Sequence, residues 1–160
     1  MSSLPVRCLI LACGNTLRGD DGVGPWLAAW GEERFSAEPS VRVISRQQWT
    51  PELAEDVAHA GTVVFVDCAV DAPPGTVRVA CVHPARAEGA LATHHLSAPE
   101  LLALGWELYG SGPSHALQLT IGAGSTDLGE TFSKSVNEVL PEACRMLEDT
   151  IRGLLAPSSR

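Results

Sequence analysis

Val6 to Gly24 reads VRCLILACGNTLRGDDGVG, an apolar run closed by a glycine-rich turn that contains two adjacent carboxylates. Val6 to Cys13 has the continuous hydrophobicity of a buried strand, and Val23 to Arg34 places Val23, Trp26, Leu27 and Trp30 at helical spacing. A glycine-rich strand-to-helix turn ordinarily offers backbone N–H groups to a phosphate, because the helix N-terminus acts as a partial positive charge. Asp20 and Asp21 repel such an anion. The better ligand is a cation, or a protein atom that one carboxylate orients while the other caps the helix. On this reading Asp20 caps the helix that starts near Gly22 and Asp21 carries function. Gly14 permits a tight backbone path, and Asn15 tolerates left-handed dihedrals.

Downstream, the hydrophobic period predicts a second strand over Val41 to Ser45 and a helix capped by Thr50. Pro51 takes that helix's first position, Leu53, Val57 and Ala58 share one side, and Gly61 ends it. Thr62 to Asp67 (TVVFVD) is β-branched and apolar on both faces, as a central parallel strand is. The turn-prone Asp71 to Gly75 leads to an edge strand over Thr76 to Val82. Ser97 and Glu100 form a capping box for a helix through Leu101, Leu104 and Leu108. Ala116 to Ala123 is the last strand, followed by a helix from about Ser133 to Leu155 in which Pro141 removes a backbone donor and should introduce a kink.

Alternation of strands and helices implies a single α/β domain spanning 1–160, a three-layer sandwich with a mostly parallel, five-stranded twisted sheet and helices on both faces. Hydrophobic residues at 45% and charged ones at 19% place the chain with ordinary globular proteins. A formal net charge of -8 argues against nucleic acid or an anionic membrane as partner, since both require a basic face. With no apolar stretch long enough to span a bilayer and no signal-peptide pattern, a cytoplasmic location is expected.

The 5 cysteines form no CxxC pair, so neither a disulfide framework nor a zinc knuckle is indicated. Cys8, Cys81 and Cys144 are expected to be small core residues. Cys13 and Cys68 each end a predicted strand beside a candidate acid, which lets both thiols face one cleft. Packing is the simpler role for them, because a reactive thiol needs an electropositive setting.

In parallel sheets, ligands sit outside the carboxyl ends of the strands. The Asp20/Asp21 turn follows the first strand, Asp67 ends the third, and His94 and His95 precede the capped helix. Two carboxylates and an imidazole from three loops of one sheet edge make a first shell for a divalent transition metal with open positions. His59, His83 and His115 are expected to be surface or packing residues, and Asp71 to shape a turn near the cleft.

The strand leading into GN-x-L-x-x-D-D-G-x-G, the TPEL helix, the apolar strand ending at Asp67 and the histidine loop before a helix together resemble the maturation endopeptidases of [NiFe] hydrogenases. The resemblance covers nearly the whole chain. It implies a cytoplasmic, monomeric α/β protein, an aspartic-type endopeptidase that removes a C-terminal extension from the hydrogenase large-subunit precursor after nickel insertion and so activates the enzyme. By motif position the metal-contacting residues fall on Asp21, Asp67 and His94, with His95 one residue away as the alternative ligand. Nickel is then supplied by the substrate, and zinc or cadmium is expected to substitute in vitro. Cys13 and Cys68 depart from the family pattern, where small or aliphatic residues are expected.

Two other readings remain at the level of sequence. One is a self-contained zinc peptidase or hydrolase, although no HExxH helix is present. The other is a non-catalytic nucleotide-binding α/β module, against which the missing Walker lysine and the acids in the turn both count. No serine or cysteine nucleophile with a partnered histidine is evident, which disfavours covalent catalysis.

Overall fold

In the computed structural model, which describes residues 4–86 and 96–157, strands and helices alternate as expected. Strand β1 (Cys8–Cys13) runs through a short 3-10 turn (Gly19–Gly22) into helix α1 (Val23–Arg34) and strand β2 (Val41–Arg46). A second 3-10 turn (Pro51–Leu53) opens helix α2 (Ala54–His59), followed by β3 (Thr62–Ala69) and β4 (Val77–Cys81). Helix α3 (Ala98–Tyr109), β5 (His115–Gly122) and α4 (Lys134–Leu155) complete the order. The five-stranded sheet is ordered β2-β1-β3-β5-β4, with only β4 antiparallel, paired to β5 at one edge.

Side-chain alternation divides the core in two. Ile10, Val64, Val66 and Leu119 face one side with Leu27 of α1 and Leu147 of α4, while Leu9, Leu11, Phe65 and Ala116 face the other with Val57 of α2 and Leu101 of α3. Strand β3, central and buried along most of its length, matches the apolar pattern of TVVFVD and extends two residues beyond it.

Local caps met the sequence expectation unevenly. Both halves of the Ser97/Glu100 capping box are present, and Ser133 caps α4, which continues through Pro141. Thr50, by contrast, makes no side-chain cap, since the segment after it winds first as a 3-10 turn. The buried stripe of α1 is Val23, Gly24, Leu27, Ala28 and Gly31, with Trp26 left 39% exposed. Small residues win there because α1 lies so close to the sheet that a Cβ on Gly24 would collide with the Cys13 carbonyl oxygen. In α3 the inward positions are Leu101, Leu102 and Gly105, and Leu108 is exposed. Cys8 is buried as expected, but Cys81 is exposed because β4 is an edge strand.

Candidate functional site

Chain connections from β1 and β3 diverge, toward β2 on one side and toward β4 and β5 on the other, which opens a crevice at the carboxyl ends of these two neighbouring strands. Ligands of parallel sheets occupy such switch points. Asp21 reaches this edge from the turn after β1, and Asp67 from near the end of β3.

The turn itself is shaped by close approach. Gly14 has φ of +151°, and a Cβ there would strike the Asp21 carbonyl oxygen. Asn15 donates its backbone N–H to Asp21 Oδ2 at 2.8 Å, and its own side-chain Oδ1 accepts from the Leu17 N–H at 2.9 Å. Asn15 is therefore not left-handed; no non-glycine residue among those described has positive φ. Its role is that of an Asx turn that fixes the Asp21 carboxylate.

Asp20 does not cap α1, whose start has no side-chain cap. It is fully buried and points the other way, across to the segment between β5 and α4. Asp20 Oδ2 accepts from Gly124 N at 2.7 Å, Ser125 N at 3.0 Å and Ser133 Oγ at 2.7 Å, and Oδ1 accepts from Ser133 N at 2.7 Å. Burial pushes this carboxyl up, but the bonds from Ser133, Ser125 and Gly124 overcome it and hold it below the usual value. Asp20 thus clamps the glycine turn to the start of α4, and its position fixes that of its neighbour.

Asp67 lies on the α2/α3 side of the sheet, in register with Phe65 beneath it, and accepts from the Cys68 N–H at 2.7 Å. Burial raises its pKa to about 6, with the Cys68 amide and the Cys13 thiol pulling it down and the Asp21 charge pushing it up. Cys13 and Cys68 do not share the cleft. Alternation puts Cys13 beside Asp67 and Cys68 in the core on the α1/α4 side. Burial first, then the neighbouring acids, drive the Cys13 thiol far up and the Cys68 thiol to about 12, so both stay protonated and packing is their role.

A cavity of about 320 Å³ opens beside this pair of strands, bounded by Cys13, Asp67 and Gln118 on the sheet, by Gln47, Gln48 and Trp49 after β2, and by the 96–99 segment at the start of α3. The residues after β2 went unread in the sequence. The rule that functional groups follow the carboxyl ends of parallel strands applies to them as well as to the turns after β1 and β3.

His94 and His95 lie outside the described residues. Among the described residues, no three His, Cys, Asp or Glu side chains are placed to hold a metal ion. The donor chemistry fits a metal that brings other ligands with it: two carboxylates at one edge, each anchored through one oxygen by a backbone N–H, and no available thiolate. His59 ends α2 in edge contact with Tyr109, and His115 is exposed at the start of β5, both away from the crevice.

Solved structures share this architecture. The [NiFe] hydrogenase maturation protease HycI from Thermococcus kodakarensis KOD1 matches at 26% identity over 96% of this chain and 94% of its own, with a TM-score of 0.65. This chain shares its fold, over nearly its whole length, with the [NiFe] hydrogenase maturation proteases. The hydrogenase maturating endopeptidase HybD from E. coli reaches a TM-score of 0.72 at 18% identity, covering 92% of this chain and 93% of its own. The [NiFe] hydrogenase maturation protease HybD from Thermococcus kodakarensis is 25% identical over 90% of this chain and 98% of its own, with a TM-score of 0.61. No family model and no curated protein matches the chain. The family's architecture agrees with the expected α/β sandwich, and no helix among the described residues is long and apolar enough to cross a membrane.

Proposed function

We propose that this protein is an endopeptidase of hydrogenase maturation, which removes the C-terminal extension of a [NiFe] hydrogenase large-subunit precursor once nickel has been inserted. The observation that carries this reading is that Asp21, after β1, and Asp67, near the end of β3, lie at the same sheet edge by the switch point, near enough for the Asp21 charge to push the Asp67 carboxyl up, in a fold shared with maturation proteases over nearly its whole length. In this proposal Asp21, Asp67 and His94 contact the nickel that the substrate presents. The metal supplies a polarising charge near the scissile bond.

The work of this chain is to place its acids. Asn15 holds one oxygen of Asp21, and the Asp20 clamp fixes the turn. The Cys68 amide holds one oxygen of Asp67. Each anchored carboxylate thereby presents its remaining oxygen without a large reorganisation. Two carboxylates and one imidazole without thiolate form a weak metal trap by themselves, so affinity depends on the ligands that the substrate contributes. Metal contact then becomes substrate selection, and cleavage reports completed insertion.

The test pairs elemental analysis of the purified protein with mass spectrometry of large-subunit precursor before and after incubation. Substoichiometric metal in the enzyme and loss of the C-terminal extension from nickel-loaded precursor alone are expected. Stoichiometric zinc with equal cleavage of loaded and nickel-free precursor would establish an ordinary metallopeptidase instead.

A further inference from the structure

Two exposed leucines stand side by side at the carboxyl edge of the sheet, one in the turn that carries Asp21 and one in the segment after β5. Leu17 is 53% exposed and Leu128 77%. Gly129 donates its N–H to the Leu17 carbonyl at 2.9 Å and accepts from the Gly19 N–H at 2.8 Å, which makes a parallel bridge between Arg18 and Gly129. The residues that precede these two, Leu17 and Leu128, are therefore neighbours in register. Trp26, also exposed, lies edge-on to the half-buried Phe132 with ring centroids 6.4 Å apart. A shallow cavity of about 290 Å³, lined by Thr16, Gly22, Pro25, Trp26, Glu130 and Phe132, joins that ring pair to the turn.

The cluster is held rigidly. Asp20 binds Gly124 and Ser125 ahead of Leu128 and Ser133 beyond it, and the Leu17 N–H donates to Asn15 Oδ1. Exposed Arg18, Asp127 and Glu130 border the apolar side chains. Contiguous apolar surface rimmed by charge marks an interaction site, and tryptophan and arginine are enriched at such sites. A surface already fixed in place loses little entropy when a partner covers it.

Position identifies the partner. Leu17 is four residues from Asp21, so their Cα atoms are at most about 14 Å apart. A stable interface buries about 800 Å² on each side, equivalent to a disc of roughly 16 Å radius. Any protein that brings a metal to Asp21 through an interface of that size covers Leu17 as well. A metal site rarely exists in an unfolded chain, so the part that brings the metal is folded. A second copy of this chain on the same face would cover Asp21 in both copies, because an isologous contact uses one patch twice.

We propose that Leu17, Trp26, Leu128 and Phe132 form the docking surface for the folded, nickel-holding body of the large-subunit precursor, as distinct from its C-terminal extension. The inference rests on the endopeptidase reading above. It divides recognition into two parts: the acids contact the metal, and an apolar surface beside them grips the protein around it.

The experiment uses the full chain and nickel-loaded precursor. Leu17→Asp and Leu128→Asp each place a charge in the cluster and keep the backbone bonds that shape it. Both are expected to raise KM at least about tenfold, as loss of an interface hot spot does, with kcat changed less than twofold. Both should melt within about 2 °C of the wild type, because the substituted side chains are exposed. Leu108→Asp, at a comparably exposed leucine of α3, should leave KM unchanged. Unchanged KM in folded Leu17→Asp and Leu128→Asp overturns the inference. A synthetic peptide of the extension that inhibits the wild type but not Leu128→Asp assigns the cluster to the extension and overturns it too. So does a wild-type dimer that Leu128→Asp dissociates without a change in KM. Failure of the wild type to cleave nickel-loaded precursor overturns the endopeptidase reading and this inference together, whereas wild-type cleavage with unchanged variant KM overturns this inference alone.

Discussion

Asp20→Asn is the perturbation that best separates a local cap from a long-range clamp. A lost helix cap costs about 0.5 to 2 kcal/mol. The structure predicts more. Asp20 is fully buried and accepts four hydrogen bonds, all from residues beyond position 123. Charge-assisted bonds of this kind are worth about 1.5 to 3 kcal/mol each, and four at full value would rival the entire stability of a domain, roughly 5 to 15 kcal/mol. Gly124 and Ser125 are exposed, so water replaces the carboxylate at their N–H groups. The two bonds from Ser133 dominate; in the asparagine variant the side-chain NH2 faces the Ser133 amide N–H if it takes the Oδ1 position and the Gly124 and Ser125 amide N–H groups if it takes the Oδ2 position, so donors oppose one another either way. The expected loss is about 3 to 4 kcal/mol, equivalent to roughly 6 to 16 °C in Tm for a domain of this size. The carboxyl sits below its ordinary value in the folded state, so this stability is present above the unfolded pKa and is lost as pH falls through the folded one. Thermal unfolding monitored by circular dichroism at neutral pH and at pH 3 supplies the assay. A Tm for Asp20→Asn within 2 °C of wild type at neutral pH would refute the clamp.

Asp21→Asn is expected to abolish precursor cleavage while shifting Tm far less than Asp20→Asn, since among the described residues only the Asn15 N–H bonds its carboxylate; cleavage at the wild-type rate would remove Asp21 from the site. His94→Ala should abolish processing and His95→Ala should not, measured by gel shift of the precursor, and the reverse result moves the ligand by one residue. Asp67 has its pKa raised to about 6, so in the metal-free protein it favours the folded state below its ordinary value of 3.8, and that contribution is lost as pH rises toward 6. Asp67→Asn should flatten the fall in stability between those two pH values, which urea titrations at several pH values would detect; an unchanged slope would contradict the raised pKa.

Much of the fold was legible because its signals are local. The β1 run, the helical period of Val23 to Arg34 and the doubly apolar TVVFVD each declare an element within a few residues, and the Ser97/Glu100 box marks a helix start three residues long. Strand β4 was recognisable as an edge because its turn-rich approach and mixed polarity suit half-exposure. Helix faces were read less well. Trp26 and Leu108 fit the helical period yet are exposed: the sheet demanded small residues where α1 approaches it, and α3 buries Ala98, Leu101, Leu102 and Gly105 instead of its last leucine.

By itself, the sequence determined that strands and helices alternate and that acids follow the first and third strands, because periodicity and turn chemistry act over neighbouring residues. Only the tertiary structure decided what those acids touch. Asp20 finds its partners 104 to 113 positions away, Cys13 and Cys68 part to opposite faces, and Trp49 borders the cavity beside Asp67. Contacts between distant segments are fixed by how the layers pack, and packing distance leaves no periodic trace in the residues that meet.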